Sequence, residues 1–521
     1  MALASTTELR SADVASPAGH SPVVSVVERW FRRGLWMASA LAAIVLLCYV
    51  ATMLWAANEL SPPESVVSAQ SMMLAHDGTL YYDLKHYPFT VCAYMPSFYW
   101  LESGLIRAGL SAFHAGRWIS FAAFLGLIVV CGRIALLYTG DRHAAWVASL
   151  AAASSSLLAH WGTVGQVDTL AAFFALAAFY NYSRFEVRGA NSLWIAGVNA
   201  ALALFTKQTM IAAPAAIFLC LWMRDRKKAL WFGALMGGGF AAVVLATNAA
   251  LDGRFLANTV FANMNPFSAA KFLAQFRYFM SISFGMLAIV VVSFGRMLRG
   301  RALAPCIYLI LAVLVFLGTA AKVGSDTNYQ IESTLLLAIC AAIGLHQLDF
   351  FKLYFARSKN WVTLLLIPLA LHVAIGYRVS ANALLSRLMN EKLFRAEIEQ
   401  LKPYVQPSGG LVLSTDFNAM VRLRQRMDVE PLIYNLLVSV HKVDPEPVRR
   451  DLARGAFSTV ILSEDVFQPR QSGNAEIGTL PDIQLDEVRR HYRLVQHVPG
   501  PFLDGVFVYQ PVYQPVLRET L

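Results

Sequence analysis

Charged residues are scarce in this chain. They make up 15% of its 521 residues, and hydrophobic residues make up 57%, whereas soluble proteins carry about 25% charged residues. This composition excludes an ordinary soluble domain and predicts that most of the chain lies in lipid. The net charge of +10 does not indicate nucleic-acid binding. Lys and Arg gather in short loops between apolar runs, where they set the orientation of a membrane protein.

Cysteine pairs and metal-ligand spacings are also missing. Cys92 has no partner in its own loop, and the other five cysteines lie inside apolar runs, where they are expected to act as small core residues. His76, His86 and His160 are not spaced as a helical ligand pair. We therefore expect no disulfide framework and predict no metal site and no cofactor, with a bound divalent metal as the alternative.

Long apolar runs, in contrast, recur from residue 34 to residue 378. Runs of roughly 17–25 residues are long enough to cross a membrane. No small-residue cleavage site follows the first run, so we expect a retained helix rather than a signal peptide. The predicted spans are 34–56, 117–138, 143–161, 166–183, 191–206, 209–223, 229–250, 275–295, 302–321, 329–347 and 361–378. The fold class is thus a polytopic α-helical membrane protein with about 11–13 transmembrane helices.

Basic residues alternate along the chain in a way that predicts its orientation. They precede the first span and fill every second connection, as in "RDRKK" from Arg224 and "GRMLRGR" from Gly295. The positive-inside rule places these connections in the cytoplasm. A loop at 57–116 then lies wholly outside, with residues 96–113 as an interfacial helix.

Three domains follow from this pattern. Residues 1–28 are rich in Ser, Ala and Pro and predict a disordered cytoplasmic tail. Residues 29–380 form the transmembrane domain. Residues 381–521 predict a small α/β periplasmic domain, because the strand-like "GGLVLSTD" and "FSTVILSED" flank the helix-like "PEPVRRDLARGA", and "HYRLVQHV" and "DGVFVYQP" follow as closing strands.

Acids and isolated cations gather in the connections predicted to lie outside. An ionisable group at the end of a spanning helix needs a reason, because burying it unpaired is costly. Each group also has a purely structural explanation. Asp83 is otherwise a solvated loop acid, Asp168 a helix cap and Lys207 a residue whose charge reaches the membrane surface. The groups concerned are Glu64, His76, Asp77, Asp83, Lys85, His86, Arg117, His160, Asp168, Lys207, Asp326, Tyr329 and Glu332.

The order of these elements resembles the GT-C class of membrane glycosyltransferases. The match is carried by an acid after the first span, "YYD", "YMP", "GRWISF", "GQVDTLAAFFALAAF" and "LALFTKQT". It is similar to the bacterial branch related to protein O-mannosyltransferases and lipid A aminoarabinose transferase, over about residues 30–350. Where that family begins its first outer loop with Asp-Glu, this chain has Pro63-Glu64, and Met95-Pro96 stands where the family has Lys-Pro.

The resemblance implies transfer of a sugar, hexosyl or pentosyl, from a polyprenyl-phosphate donor to a hydroxyl of a glycan, lipid or protein. We expect this in the bacterial inner membrane, on the periplasmic face, as a step in building envelope glycan. Glu64, then Asp83, are the predicted bases. Lys207 and Arg117 would stabilise the leaving phosphate, and Asp168 would orient a cation or the acceptor. Tyr81, Tyr82, Tyr94 and Tyr329 would contact sugar or lipid.

Two other classes remain open. A transporter or flippase for lipid-linked sugars would also carry charges in the membrane, but such folds commonly show repeated halves, and none is evident in the sequence. A non-catalytic assembly subunit would explain Pro63. The loop at 251–274 is either a lid over the site or a connector, and the C-terminal domain either binds the acceptor or covers the site.

Overall fold

The computed structural model describes residues 37, 41–350, 366–405, 411–468, 479–501 and 505–512. The predicted tail at 1–28 lies outside these residues, as do the first residues of the predicted spans 34–56 and 361–378.

Helices dominate the first three quarters of the described chain, which confirms the predicted fold class. In chain order they are α1 Leu41–Leu54, α2 Pro62–Asp77, α3 Ser97–Arg107, α4 Ala112–Thr139, α5 Arg142–Ala153, α6 Ser156–Trp161, α7 Val167–Arg188, α8 Leu193–Thr206, α9 Ala212–Arg224, α10 Arg226–Ala250, α11 Ala269–Arg299, α12 Leu303–Ala320, α13 Ile331–Gln347 and α14 Leu366–Val405. A π turn, Ala234–Gly238, lies inside α10, and a 3₁₀ turn, Thr327–Gln330, leads into α13.

Five of these helices are long and apolar enough to cross a membrane. They are α4, α10, α11, α12 and the combined Thr327–Gln347, and three shorter apolar helices, α1, α8 and α9, accompany them. The predicted span at 143–161 is divided into α5 and α6. Ser155 begins α6 by accepting a hydrogen bond from Leu158 N, since an unpaired helix N-terminus favours a side-chain acceptor. Helix α3, with 11 residues, is too short to span, as predicted.

Exposed tryptophans form two groups at opposite ends of the bundle. Trp55, Trp100 and Trp118 lie where α1 ends, along α3 and where α4 begins, and the rings of Trp55 and Trp118 are 5.9 Å apart. The second group lies near the other end of α4 and next to basic residues. Its members are Trp146, Trp194, Trp222 and Trp231. Tryptophans at two levels are typical of the two interfaces of a bilayer.

The bundle core depends on small side chains. Ala171 and Ala175 on α7 are fully buried, and so are Ala196 and Ala200 on α8. The two members of each pair are four residues apart. Residues four apart share one helix face, so each helix presents a strip of small side chains to its neighbour. Small strips of this kind let membrane helices approach closely without help from a hydrophobic effect.

A four-stranded sheet forms the C-terminal region, as the sequence predicts. Strands β1 Leu411–Ser414, β2 Phe457–Leu462, β3 Tyr492–Val498 and β4 Val506–Pro511 follow the order β1-β2-β4-β3. Strand β1 is parallel to β2, and the other pairings are antiparallel. The helices around the sheet are α15 Phe417–Arg422, α16 Pro431–Ser439, α17 Glu446–Ala453 and α18 Asp482–His491.

Alternate residues of the strands face two different helical layers. Val412, Ile461 and Val508 pack with Ile398 and Leu401 at the end of α14. Their sequence neighbours Leu413, Val460 and Tyr509 pack on the other face with α16, α17 and α18. This is the two-residue period of a strand. Helix α14 therefore crosses residue 380 without a break and joins the bundle to the sheet, and the domain boundary drawn there stays a prediction.

Candidate active site

Glu64 and Arg117 form a fully buried ion pair where α1, α2 and α4 meet. Arg117 Nε and Nη2 donate to the two carboxylate oxygens of Glu64, each at 2.8 Å. Glu64 also accepts hydrogen bonds from the backbone N–H groups of Leu60, at 2.7 Å, and Gly165, at 2.8 Å. Both side chains are 0% exposed.

This arrangement gives Glu64 and Arg117 a structural position. A carboxylate that accepts four hydrogen bonds has no lone pair directed at an open space. A proton acceptor must be within reach of the hydroxyl it deprotonates. The catalytic role predicted for Glu64, and the phosphate contact predicted for Arg117, stay predictions that this geometry does not favour.

Lys207 and Asp168 form a second buried ion pair, between the end of α8 and the start of α7. Lys207 is 1% and Asp168 0% exposed. The pair lies at one end of the bundle, since α7 and α8 are antiparallel neighbours joined at the opposite end. Asp168 Oδ2 has no hydrogen-bond partner among the described atoms. A buried pair with an unused oxygen is costly unless it serves a ligand or a charge nearby.

Two tyrosines face the Lys207 ammonium. Its Nζ is 4.0 Å from the ring centroid of Tyr329 and 5.7 Å from that of Tyr94. A cation within about 6 Å of an aromatic face is attracted by the ring. The structure thus brings together four of the predicted site residues, from four separate parts of the chain: Tyr94, Asp168, Lys207 and Tyr329.

A third charged residue of this pocket, Lys322, is not among the predicted site residues. Its Nζ donates to Asn263 Oδ1 at 2.6 Å. Burial and the neighbouring positive charge of Lys207 lower the pKa of Lys322 to about 8. Asp326, half-buried, caps the 3₁₀ turn by accepting from Thr327 N at 2.6 Å. The sequence "KVGSDTNYQ", a lysine and an acid within one short connection, carries the signal for both.

Tyr81 and Tyr82 lie apart from the two lysines. The Tyr81 hydroxyl donates to the carbonyl oxygen of Tyr94 at 3.0 Å, and its ring packs on Phe255. Tyr81 is therefore a support for the loop that carries Tyr94. Tyr82 instead lines an open cavity together with Asp83.

Asp83, the second predicted base, is exposed on that cavity. Its Oδ1 accepts a hydrogen bond from Lys85 N at 3.1 Å. The cavity has a volume of about 630 Å³ and lies between residues 82–85, residues 252–262 and the C-terminal region. Asp83 therefore has the access to a substrate that Glu64 lacks.

Two further buried acids lie near Glu64, and neither was among the predicted site residues. Burial raises the pKa of Glu102 to about 8, although Ser68 and Ser71 donate to its carboxyl at 3.0 and 2.6 Å. Burial likewise raises the pKa of Glu59 to about 8. Both carboxyls support the packing of α2. Over the described ranges, no group of three His, Cys, Asp or Glu side chains is arranged to hold a metal ion.

Comparisons with known proteins give one consistent result. Neither a protein-family model nor a curated protein matches the sequence. Among solved structures, ArnT from Cupriavidus metallidurans bound to undecaprenyl phosphate is 15% identical, with a TM-score of 0.60 over 90% of this chain and 97% of that one. Its apo state gives a TM-score of 0.62 at the same identity and coverage.

A second solved relative of the fold is archaeal. It is the oligosaccharyltransferase AglB from Archaeoglobus fulgidus, in complex with an inhibitory peptide and a dolichol-phosphate. It is 13% identical, with a TM-score of 0.52 over 84% of this chain and 70% of that one. At such identities the likeness concerns the fold.

Proposed function

We propose that this chain, which has the GT-C fold of membrane glycosyltransferases, transfers a sugar from a polyprenyl-phosphate donor to an acceptor hydroxyl. The proposal depends most on one observation. Two lysines, Lys207 and Lys322, lie at the same end of the transmembrane helices, and Asp168 is in direct contact with Lys207. The structures of ArnT and AglB contain lipid phosphates of this donor class.

The lysine pair suits a phosphate that sits at a membrane surface. A donor of this class has its prenyl chain in lipid and its phosphate at the level of the headgroups. Fixed cations, already desolvated, stabilise the charge that grows on a leaving phosphate without first reorganising water. The faces of Tyr94 and Tyr329 close the pocket beside Lys207 and offer flat apolar surface for the sugar or the first isoprene units.

The reaction needs one proton acceptor. The acceptor oxygen forms a bond to the anomeric carbon, and the bond between that carbon and the phosphate oxygen breaks. The electron pair of the broken bond stays on the phosphate, and the hydroxyl proton passes to a carboxylate. Of the two predicted bases, Asp83 has the open geometry, so we assign it this role and give Glu64 the structural one.

We also propose a location and an orientation. The chain would lie in the bacterial inner membrane, with the basic connections in the cytoplasm and the sheet in the periplasm. The tryptophans at both ends of the bundle agree with a bilayer between these two sides. The acceptor would then be a component of the cell envelope.

A transfer assay with a matched lysine control tests the function. Protein in lipid nanodiscs is incubated with a labelled polyprenyl-phosphate sugar and an envelope extract. We expect Lys207→Ala to slow transfer by about 100-fold, since removing one preorganised donor costs a factor of about 10²–10³. Lys227→Ala changes an exposed lysine at the other end of the bundle and should transfer at the wild-type rate.

Other outcomes separate the competing classes. Movement of labelled donor across a vesicle bilayer without transfer would indicate a flippase. Donor binding with neither transfer nor movement would indicate an assembly subunit. Wild-type rates in Lys207→Ala would remove the phosphate pocket from the mechanism.

A further inference from the structure

Arg107 joins the end of α3 to the end of α2. Its Nε donates to the carbonyl oxygen of Ala75 at 3.0 Å and its Nη2 to that of Leu74 at 2.9 Å, and the residue is exposed. Helix α3 begins at Ser97, which donates to the carbonyl oxygen of Phe205 at the end of α8, and α4 begins shortly after α3 ends. Both ends of α3 therefore lie where apolar helices of the bundle end, and Arg107 is held at that level.

Three more exposed arginines, Arg422, Arg424 and Arg426, lie at the end of α15 and in the turn that follows it. Arg426 is 4.0 Å from Asp77, the last residue of α2, and 3.2 Å from Asp428. Its charge is therefore balanced by two acids. Among the residues that the structure describes, no carboxylate is within ion-pairing distance of Arg422 or Arg424, so these two keep an unbalanced positive charge.

The packing of Val421 determines where Arg422 lies. Val421 is buried in one apolar cluster with Phe113, at the start of α4. Arg422 itself is within electrostatic range of His114, and the ring centroid of His114 is 5.9 Å from that of Trp55. Arg422 thus lies close to the exposed tryptophans at this end of the bundle, which are typical of a bilayer interface.

The level of these tryptophans is that of the lipid headgroups. Tryptophan favours the boundary between hydrocarbon and headgroups, and the long side chain of an arginine extends from that boundary towards the phosphates. Phosphate oxygens accept charge-assisted hydrogen bonds from a guanidinium, often two at once. Unbalanced cations at this depth attract anionic lipids, whereas the charge of a zwitterionic headgroup is already compensated.

A lipid surface fits these arginines better than a dissolved anion does. All of them are exposed and come from two separate elements. A free ion would meet each of them in water, where one exposed ion pair contributes little. A bilayer instead presents many headgroups at once, so several weak contacts act together.

We propose that Arg107, Arg422 and Arg424 bind anionic phospholipid headgroups at the level of Trp55 and thereby hold the C-terminal region on the membrane surface. We call these three residues the arginine patch. The apolar cluster around Val421 joins α15 to α2 and α4 from within, and the headgroups join the same elements from outside. The arginine patch contains no residue of the proposed donor pocket, so lipid binding there does not depend on sugar transfer.

The lipid selectivity of the full-length protein tests the proposal. Native mass spectrometry of the purified chain, with dioleoylphosphatidylglycerol or dioleoylphosphatidylcholine added, gives a dissociation constant for each lipid. We expect wild type to bind the anionic lipid about tenfold more tightly or better. The double variant Arg422→Gln, Arg424→Gln should lower this ratio by about fivefold or more, since each cation near a membrane surface contributes roughly a fivefold preference.

Matched variants separate charge, place and pocket. Arg422→Lys with Arg424→Lys keeps both charges and should keep the ratio within about twofold of wild type. Arg450→Gln with Arg493→Gln removes two exposed arginines from elsewhere in the C-terminal region and should also keep the ratio. Lys207→Ala should do the same, because it alters the donor pocket and leaves the arginine patch intact.

Four results would overturn the proposal. Equal affinities of wild type for the two lipids would show no selectivity, and an equal loss in the Arg450 and Arg493 double variant would show a general effect of charge. Displacement of the anionic lipid by inorganic phosphate would indicate a site for soluble anions. Loss of selectivity in Lys207→Ala would assign the lipid to the donor pocket. None of these results depends on whether the chain transfers a sugar.

Discussion

Arg117 has five N–H donors, and the structure supplies each of them with an acceptor. Two carboxylate oxygens of Glu64 and the carbonyl oxygens of Met53, Ala56 and Asn58 surround the guanidinium. These carbonyls lie at and just beyond the end of α1, where a helix leaves its last carbonyls unpaired. Arg117 thereby joins the end of α1 to the starts of α2 and α4, and Glu64 balances its charge.

Replacing Glu64 by Gln tests whether this pair is structural. The change leaves a buried arginine without its counter-charge, and breaking one partner of a buried pair typically costs about 3–5 kcal/mol. We expect Glu64→Gln to lower the unfolding temperature in detergent, followed by intrinsic fluorescence, and to lower the yield of folded protein.

Asp83→Asn is the matched control. Asp83 is exposed, and exposed substitutions away from packed features usually change stability by less than about 0.5 kcal/mol. We expect this variant to keep the wild-type unfolding temperature but to lose transfer. If Glu64→Gln were as stable as wild type yet inactive, Glu64 would be the base and Asp83 would not.

At the residue scale, the sequence predicted which side chains are polar exceptions but not how they pair. Asp168 and Lys207 were expected at the same end of the bundle, and they are in direct contact. Glu64 was expected on the same side of the membrane as Arg117, which opens the second span. One of its four hydrogen-bond donors, however, comes from Gly165, 101 residues away. Hydropathy gives the depth of a residue and carries no information on which neighbour it faces.

Among the elements, α14 has the most consequences for the assembly of the chain. Its 40 residues run from the bundle, where His372 contacts the carbonyl oxygens of Ala151 and Ile282 at 3.1 and 3.2 Å, to the sheet. In between, Arg387 donates to the carbonyl oxygens of Glu59 and Asn58 at 2.9 and 3.2 Å. These bonds tie the helix to the loop between α1 and α2.

Arg387→Ala should loosen this connection. It removes the donor to the carbonyl oxygen of Glu59 and one of the two donors to that of Asn58, which keeps Arg117. Leaving a buried acceptor unpaired costs about 1–3 kcal/mol. We expect faster limited proteolysis within the C-terminal region at an unchanged helical content. Arg395→Ala is the control, because both arginines pair with Glu391 but Arg395 is exposed. Equal proteolysis of the two variants would contradict the role given to Arg387.

At the element scale, strands were easier to predict than helix boundaries. The four strand-like runs are short and rich in Val, Leu, Ile and aromatic residues, and all four form strands. The run at 143–161 is apolar apart from two histidines and four serines, and its hydropathy alone predicts one span. The three serines from Ser154 mark the break between α5 and α6. The cavity beside Asp83 could not be predicted, because it depends on Lys442 approaching Phe261 from 181 residues away.

The orientation of the whole molecule can be measured directly. Five of the six cysteines are buried and Cys48 is exposed on α1. A Cys48→Ala background therefore gives low background labelling by thiol reagents. We expect a membrane-impermeant maleimide to label Ser439→Cys in intact spheroplasts, because Ser439 is exposed at the end of α16. Lys227→Cys should react only after the membrane is permeabilised. If Lys227→Cys reacted in intact spheroplasts and Ser439→Cys did not, the cavity beside Asp83 would face the cytoplasm, and a periplasmic reaction would be excluded.

The unbroken length of α14 links the lipid environment to the shape of the cavity beside Asp83. At 1.5 Å per residue, its 40 residues extend for about 60 Å, twice the hydrocarbon thickness of a bilayer. One end is solvated by acyl chains, and the other carries the sheet with Leu437 and Lys442. A thinner bilayer tilts a helix of this length. The tilt displaces the C-terminal wall of the cavity relative to its other two walls, residues 82–85 and 252–262. Membrane thickness would then determine how wide the entrance of this cavity is.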